Sequence, residues 1–482
     1  MHLTTILQGG AFFLSRPRRF GKSLFLSTLK AIFAGRKDLF KDLWLEHHQN
    51  FEPRPVIRLD FSLVNFTNKT LDQGIVDSLR FSASEYNLEL QSTNARDTFK
   101  ELIFELSKTS KVVILIDEYD KPITDYLFEP EKRLEHQHVL RSFYGVLKPM
   151  DQYLHLVVLT GVSKIGKLSL FSDLNNLQDI SLNPDYATMF GYTREEIEQS
   201  FPSFLTELAS YQQRPLEELW VGIKRWYNGY SWDTINRLYC PFSFLLFLSN
   251  KEFRSFWYDT GTPTFLLEMI RNAQINPLEF DAISMDVASL SSTDVQNLDP
   301  ISLMFQTGYL TLKSADRTML GTQYELGYPN EEVRNAFSKN LLQQYGSYLP
   351  STIGGFSIKL QRALIKLEWQ VFFELVNQIL AGIPYSIFPK QESYVHSLMH
   401  LMLISTGFPT QSEVQTSIGR MDTLVETFTH SIILEFKIGG TPQAALDQIN
   451  TNRYADAITK PVLKVGVVFD LESKSISGWA VE

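Results

Sequence analysis

A chain of 482 residues with 44 % hydrophobic content carries enough apolar material to build about three domains at roughly 150 residues each. Its formal net charge of −9 excludes a globally basic nucleic-acid binder, so any DNA contact has to be local. A single cysteine, Cys240, excludes an intrachain disulfide framework and a thiolate zinc site.

The longest apolar runs, such as Val112–Ile116, fall far short of the about 20 residues that cross a bilayer. The first residues show no succession of charged, apolar and small residues typical of a secretory leader. The expected location is cytoplasmic, with no membrane partner.

The first organised stretch is Phe12–Ser23, F-F-L-S-R-P-R-R-F-G-K-S. An apolar strand over 11–14 and a basic loop lead into Gly21-Lys22-Ser23. A helix then carries Leu24, Phe25, Leu29, Ile32 and Phe33 at helical spacing, until Gly35 ends the pattern. Strand, loop and helix in this order form a phosphate-binding P-loop. Lys22 can reach the β- and γ-phosphates, Ser23 can ligand Mg²⁺, and the backbone N–H groups opening the helix point at the anion. The pattern G-x-x-x-x-G-K-[ST] asks for glycine where this chain has Arg16. The competing reading is that G-K-S is ordinary turn chemistry, so a second motif has to decide.

A second strand is expected over 56–61 and helices near 70–86 and 95–109, the makings of a parallel α/β sheet. Residues 111–120 then read K-V-V-I-L-I-D-E-Y-D, an aliphatic run suited to a strand buried on both faces. Asp117 at its end can hold Mg²⁺ and Glu118 can polarise an attacking water, which is Walker B chemistry. The competing reading is a pair of acids capping the next helix. The strand L-H-L-V-V-L-T-G at 154–161 ends in Thr160, where P-loop ATPases of the additional-strand class place a polar sensor of the γ-phosphate. Lys164 and Lys167 follow and are expected to be solvated surface charges.

From Gly191 the pattern turns helical, starting with a capping box of Thr193 and Glu196, and reads as a lid. The aromatic stretches 226–230 and 257–263 are read as packed core in preference to a base-stacking platform. Residues 309–314 and 322–326 alternate like a hairpin, with a helix over 330–345 beyond, which suggests a winged-helix-like module. Neither Arg225 nor Arg254 can be assigned as an arginine finger.

After Ile383-Pro384 a helix is expected over 391–405, with Glu392 and His396 on one face. Strands follow over 412–418, 421–427 and 431–437, then a helix over 441–457 and a strand over 462–470. On this α-β-β-β-α-β order sit Asp422, Glu435 and Lys437, spaced D-x₁₂-E-x-K. A hairpin brings Asp422 beside Glu435, and Glu435 and Lys437 share a strand face. Two carboxylates for Mg²⁺ with a lysine near the water can hydrolyse a phosphodiester. Glu392 is expected to complete the metal shell and Gln448 to orient the site. The competing reading for E-F-K alone is a solvated strand edge.

The segments L-S-R-P-R-R-F-G-K-S, I-D-E-Y-D-K-P, L-T-G-V-S-K with F-S-D-L-N-N-L, W-Y-N-G-Y, G-T-P-T-F-L, Q-T-G-Y-L-T and Y-P-N-E-E-V-R, followed by the E-F-K block, resemble bacterial two-part proteins. In these an AAA-ATPase-like domain is joined to a C-terminal PD-(D/E)xK nuclease-like domain. The resemblance covers nearly the whole length. It implies an α/β protein with a P-loop ATPase parallel sheet over 1–190, a helical lid and winged-helix-like middle over 191–382, and a restriction-endonuclease-like domain over 383–482. Arg16 is the usual residue at its position in that family, which would place its charge beside the phosphates. Related chains carry a further helix or two before the first strand, so a shortened N-terminus is expected, with phosphate and Mg²⁺ binding kept and adenine binding open.

The cofactor set is ATP and Mg²⁺. ATP, phosphate and Mg²⁺ fall to Arg16, Gly21, Lys22, Ser23, Asp117 and Thr160, with Glu118 catalytic. The second metal falls to Glu392, Asp422 and Glu435, with Asp422, Glu435 and Lys437 catalytic. The reading is an ATP-driven nuclease acting on DNA, compatible with a homo-oligomer. The alternative is a nucleotide switch of signalling or defence type whose C-terminal module binds DNA or a partner without cutting.

Overall fold

The computed structural model describes all residues except 1, 172–173, 258–265, 268, 271–272, 274, 292–297, 320, 347–348, 384–391, 416–419 and 457. The chain forms two compact units. The first comprises Met1–Lys224, Asn228–Lys251 and Ser284–Leu326, and the second Arg225–Tyr227, Glu252–Ile283 and Gly327–Glu482.

In the first unit a short helix α1, His2–Leu7, precedes strand β1, Gly10–Ser15, and helix α2, Lys22–Phe33. Strands β2 (Val56–Asp60), β3 (Val112–Asp117), β4 (Leu154–Gly161) and β5 (Leu177–Asp179) complete a sheet in the order β2-β3-β4-β1-β5, parallel throughout. Every residue of β3 is buried, as its unbroken aliphatic run requires in a sheet covered on both faces. The expected helices form over Leu71–Ser84 and Ala95–Ser107, capped by the side chains of Thr70 and Asn94. In α2 the stripe is narrower than its spacing suggests, for Leu24 is 71 % exposed.

Strand β4 follows β3 in sequence yet lies between β1 and β3. Its register sets Thr160 opposite Leu14 of β1 and Leu159 opposite Ile116 of β3. The carboxyl ends of three strands therefore meet at one edge, where open α/β sheets bind ligands.

Farther along, the capping box of Thr193 and Glu196 is formed. Strands β6 (Ile283–Asp286), β7 (Thr311–Thr318) and β8 (Gly321–Gly327) make a small sheet in the order β6-β8-β7. The hairpin reading had only the last two. A helix follows over Glu331–Gly346. Tyr227 and Tyr230 are buried, and most of the stretch 257–263, with the start of G-T-P-T-F-L, lies outside the described residues.

In the second unit the helix Glu392–Ser405 leads into β9 (Thr410–Gln415), β10 (Arg420–Glu426) and β11 (Ser431–Ile438). The helix Pro442–Thr451 then crosses to β12 (Val462–Asp470), and β13 (Ser475–Val481) closes a mixed sheet ordered β13-β12-β11-β10-β9. Only β11 and β12 pair in parallel. A Cβ on Gly466 would lie 2.2 Å from the Pro442 carbonyl oxygen, so glycine is what lets the crossover helix settle on β12. Leu446 and Ile449 of that helix pack in one cluster with Met421, Ile433 and Tyr454. Among the described residues no helix is long and apolar enough to cross a membrane.

Candidate functional site

Gly21 opens α2 with φ 88°, a left-handed conformation that glycine adopts without steric cost. Phe20 is buried against Tyr230 and Trp232, with ring centroids 4.8 and 5.3 Å away, so these two rings anchor the loop. Lys22 is buried, and its Nζ donates to the loop's own carbonyls at Arg16 (2.8 Å) and Pro17 (2.9 Å). Burial lowers its pKa to about 8, against the raising influence of Asp117, Asp120 and Glu118. Ser23 beside it is exposed.

Arg16 does not take up the position expected beside the phosphates. Its guanidinium is fully buried. Nη1 donates to the carbonyls of Ser15 (3.0 Å) and Ser181 (2.7 Å), Nη2 to that of Tyr186 (3.2 Å), and the group lies 4.2 Å from the Trp232 ring centroid. Burial lowers its pKa to about 9, partly offset by Asp179 and Asp233. The residue braces the loop against the protein, a role that only contacts far along the chain reveal.

At the end of β3, Asp117 is 0 % exposed. Its Oδ1 accepts from Thr160 Oγ1 at 2.7 Å and from the Glu118 N–H at 3.0 Å, while its Oδ2 is buried without a hydrogen-bond partner. Such an orphaned carboxylate oxygen is costly unless a cation satisfies it, so the residues present fit a bound Mg²⁺. Glu118 has φ 50°, a left-handed backbone that costs a non-glycine residue about 1–2 kcal/mol. Burial raises its pKa, reinforced by Asp120 and Asp117 and opposed by Lys22 and Lys121.

The two lysines expected in solvent are held by Asp179. Lys164, 6 % exposed, lies 2.9 Å from its carboxylate and Lys167 lies 2.5 Å from it. Burial raises the Asp179 pKa, but Lys164 and Lys167 outweigh it and hold the carboxyl well below the usual range. Spacing alone could not show this, because Asp179 arrives on a separate strand beside β1.

In the second unit Asp422, Glu435 and Lys437 come together. Asp422 Oδ2 accepts from the Phe436 N–H at 2.8 Å, which ties β10 to β11 beyond their last ladder pair. Glu435 is 0 % exposed. Its Oε1 lies 3.2 Å from Lys437 Nζ, and its Oε2 is buried without a partner. Gln448, from the crossover helix, accepts from Lys437 Nζ at 2.6 Å. Burial, then the charge of Asp422, raises the Glu435 pKa to about 7 against Lys437. The orphaned oxygen and the neighbouring acid fit a divalent cation.

Glu392 does not join them. Its side chain is 59 % exposed and lies 3.9 Å from His396 Nε2, while His396 Nδ1 lies 4.0 Å from Glu413, itself paired with Arg420. The His396 ring sits 5.3 Å from that of Phe436, the residue between Glu435 and Lys437, hence on the other face of β11. Among the described residues no three His, Cys, Asp or Glu side chains gather to hold a metal. Glu392, expected as the third acid, lies beside His396 instead. Helical spacing sets Glu392 beside His396, but the way the helix packs on the sheet decides what that face meets.

Residues 3–171 match the family described as Predicted AAA-ATPase, and residues 390–479 match the PD-(D/E)XK nuclease superfamily. The chain is 35 % identical over 494 residues to an uncharacterized protein encoded in the vnfD 5′ region of Azotobacter chroococcum mcd 1, a match that spans 100 % of this chain and 93 % of that one.

Proposed function

Because this chain belongs to the family that joins an AAA-ATPase-like domain to a PD-(D/E)XK nuclease-superfamily domain, we propose that it binds and hydrolyses ATP and couples this to a Mg²⁺-dependent nuclease module acting on DNA in the cytoplasm. One observation carries the reading. Two fully buried acids, Asp117 and Glu435, each keep one carboxylate oxygen without a partner, and each has a lysine in its field.

In this reading Lys22 and the N–H groups at the start of α2 bind and orient the phosphates. Ser23 and Asp117 would hold Mg²⁺, and Thr160 keeps Asp117 turned toward the site. Glu118, whose raised pKa favours proton uptake, takes the proton of the attacking water. Asp422 and Glu435 would hold the second ion, and Lys437, fixed by Gln448, orients the water or the scissile phosphate. Bound Mg²⁺ supplies charge neutralisation at each phosphorus centre. The division into parts over 1–190, 191–382 and 383–482 belongs to the same proposal.

A second reading has one observation in its favour. With Glu392 standing apart, two acids gather at the second site among the described residues, as suits a module that binds DNA or a partner without cutting. The test is an assay on linear, nicked and single-stranded DNA with Mg²⁺, with and without ATP, on wild type, Lys22→Ala and Lys437→Ala. The nuclease reading expects cutting by wild type, a loss of about 10²-fold or more in Lys437→Ala, and ATP turnover lost only in Lys22→Ala. Tight ATP binding with slow turnover and no cutting would favour the switch.

A further inference from the structure

The loop that leaves β4, residues 162–167, is held from several sides within the first unit. Asp120 is buried and accepts from the N–H groups of Val162 (3.4 Å) and Ser163 (2.8 Å) and from Ser163 Oγ (2.6 Å). Both its oxygens are engaged, in contrast to Asp117. The Tyr119 N–H donates to the Thr160 carbonyl at 3.1 Å, and its hydroxyl to the Ser163 carbonyl at 3.0 Å. A Cβ on Gly161 would lie 2.5 Å from the Tyr119 ring and 2.7 Å from Asp120 Oδ1, so no larger residue fits at this crossing.

At the far end of the loop stands Gln306, buried in the helix Pro300–Thr307. Its Oε1 accepts from the Lys164 N–H at 2.7 Å, while its Nε2 donates to the Leu290 carbonyl (3.1 Å) and to Ser302 Oγ (3.0 Å). The helix and the loop are thereby tied through a buried amide.

We propose that Asp120 and Gln306 are positioning residues of the P-loop site, which hold the 162–167 loop so that Thr160 stays on Asp117. This rests on the ATPase reading above. Thr160 lies two residues before the first amide that Asp120 holds, and its bond to Asp117 spans 2.7 Å. A slip of β4 by about 1 Å would break that bond, and misplacement of this size is costly to catalysis. Through Gln306, the Q-T-G-Y-L-T segment shares in the geometry of the phosphate end of the sheet.

The test measures ATP turnover, binding of a fluorescent ATP analogue, melting temperature and amide hydrogen exchange for wild type, Asp120→Ala, Asp120→Asn and Gln306→Ala. Asp120→Ala and Gln306→Ala should each lower kcat about tenfold or more while analogue affinity stays within about threefold, with Asp120→Asn in between. Unchanged kcat, or affinity lost as much as kcat, overturns the proposal. Should Asp120→Ala not fold, Gln306→Ala, which removes no charge, decides alone. If the wild type turns over no ATP, the ATPase reading fails separately and exchange decides. Gln306→Ala should speed exchange in a peptide covering 117–119, which Gln306 does not contact in any described hydrogen bond, and an unchanged rate there overturns the proposal.

Discussion

The end of the first sheet beside Lys22 and the β10–β11 end of the second each hold a buried group whose pKa burial displaces, and the two groups, Lys22 and Glu435, have opposite sign. At the first, burial brings Lys22 down to about 8 although Asp117, Asp120 and Glu118 pull the other way. At the second, burial and Asp422 bring Glu435 up to about 7 although Lys437 opposes them. In both places the low-dielectric surroundings disfavour the charged form. What relieves the cost differs. A polyanion would favour the charged form of the lysine and a divalent cation that of the glutamate. The direction in which burial displaces Lys22 and Glu435 thus distinguishes the two ends more sharply than the count of acids and lysines around them.

The largest expected effect breaks the comparison at its first end. Lys22→Ala should reduce ATP turnover by about 10²-fold or more, measured as phosphate release, while metal binding at the second end stays intact. Equal loss at both ends would mean that the two sites are not independent.

The next effect sharpens the second end. In Lys22→Ala protein without nucleotide, Mn²⁺ affinity measured by calorimetry should rise about tenfold between pH 6 and pH 8, because the ion binds the ionised form of a carboxyl that titrates near 7. Glu435→Gln should abolish that rise.

A smaller effect concerns stability. Because the folded-state pKa of Glu435 is raised from 4.5 to about 7, the stability it contributes is fully present below 4.5 and is lost as pH rises through about 7. Metal-free Glu435→Gln should therefore melt about 2–4 °C above wild type at pH 8, with the difference vanishing near pH 4. The smallest effect is expected of Glu392→Gln, which should leave Mn²⁺ affinity within about threefold, since Glu392 meets His396 and not the paired acids. A tenfold loss would return Glu392 to the metal shell.

Much of the element inventory was legible in the chain because it is encoded over short distances. The aliphatic run ending at Asp117, the capping residues Thr70 and Asn94, and the alternation of β10 and β11 all act within a few residues. The chemical types at both sites were legible for the same reason. Gly21-Lys22-Ser23, Asp117-Glu118 and Glu435-x-Lys437 are each local, and a hairpin is enough to bring Asp422 to Glu435. The spacing did not disclose Asp120 or Gln306, whose partners lie 43 and 142 residues away.

By itself, then, the sequence determined which segments become strands and helices, and which of their ends carry ionisable groups, since periodicity and capping depend only on neighbours along the chain. Tertiary structure alone decided that β4 enters between β1 and β3, and so brings Thr160 to Asp117. It also decided that Arg16 stacks on Trp232, that Lys164 and Lys167 close on Asp179, and that the helix face carrying Glu392 and His396 does not meet Asp422 and Glu435. Each of these depends on which surfaces are removed from water together. Burial is a property of the assembled fold, and burial is what displaces Lys22 and Glu435 in opposite directions.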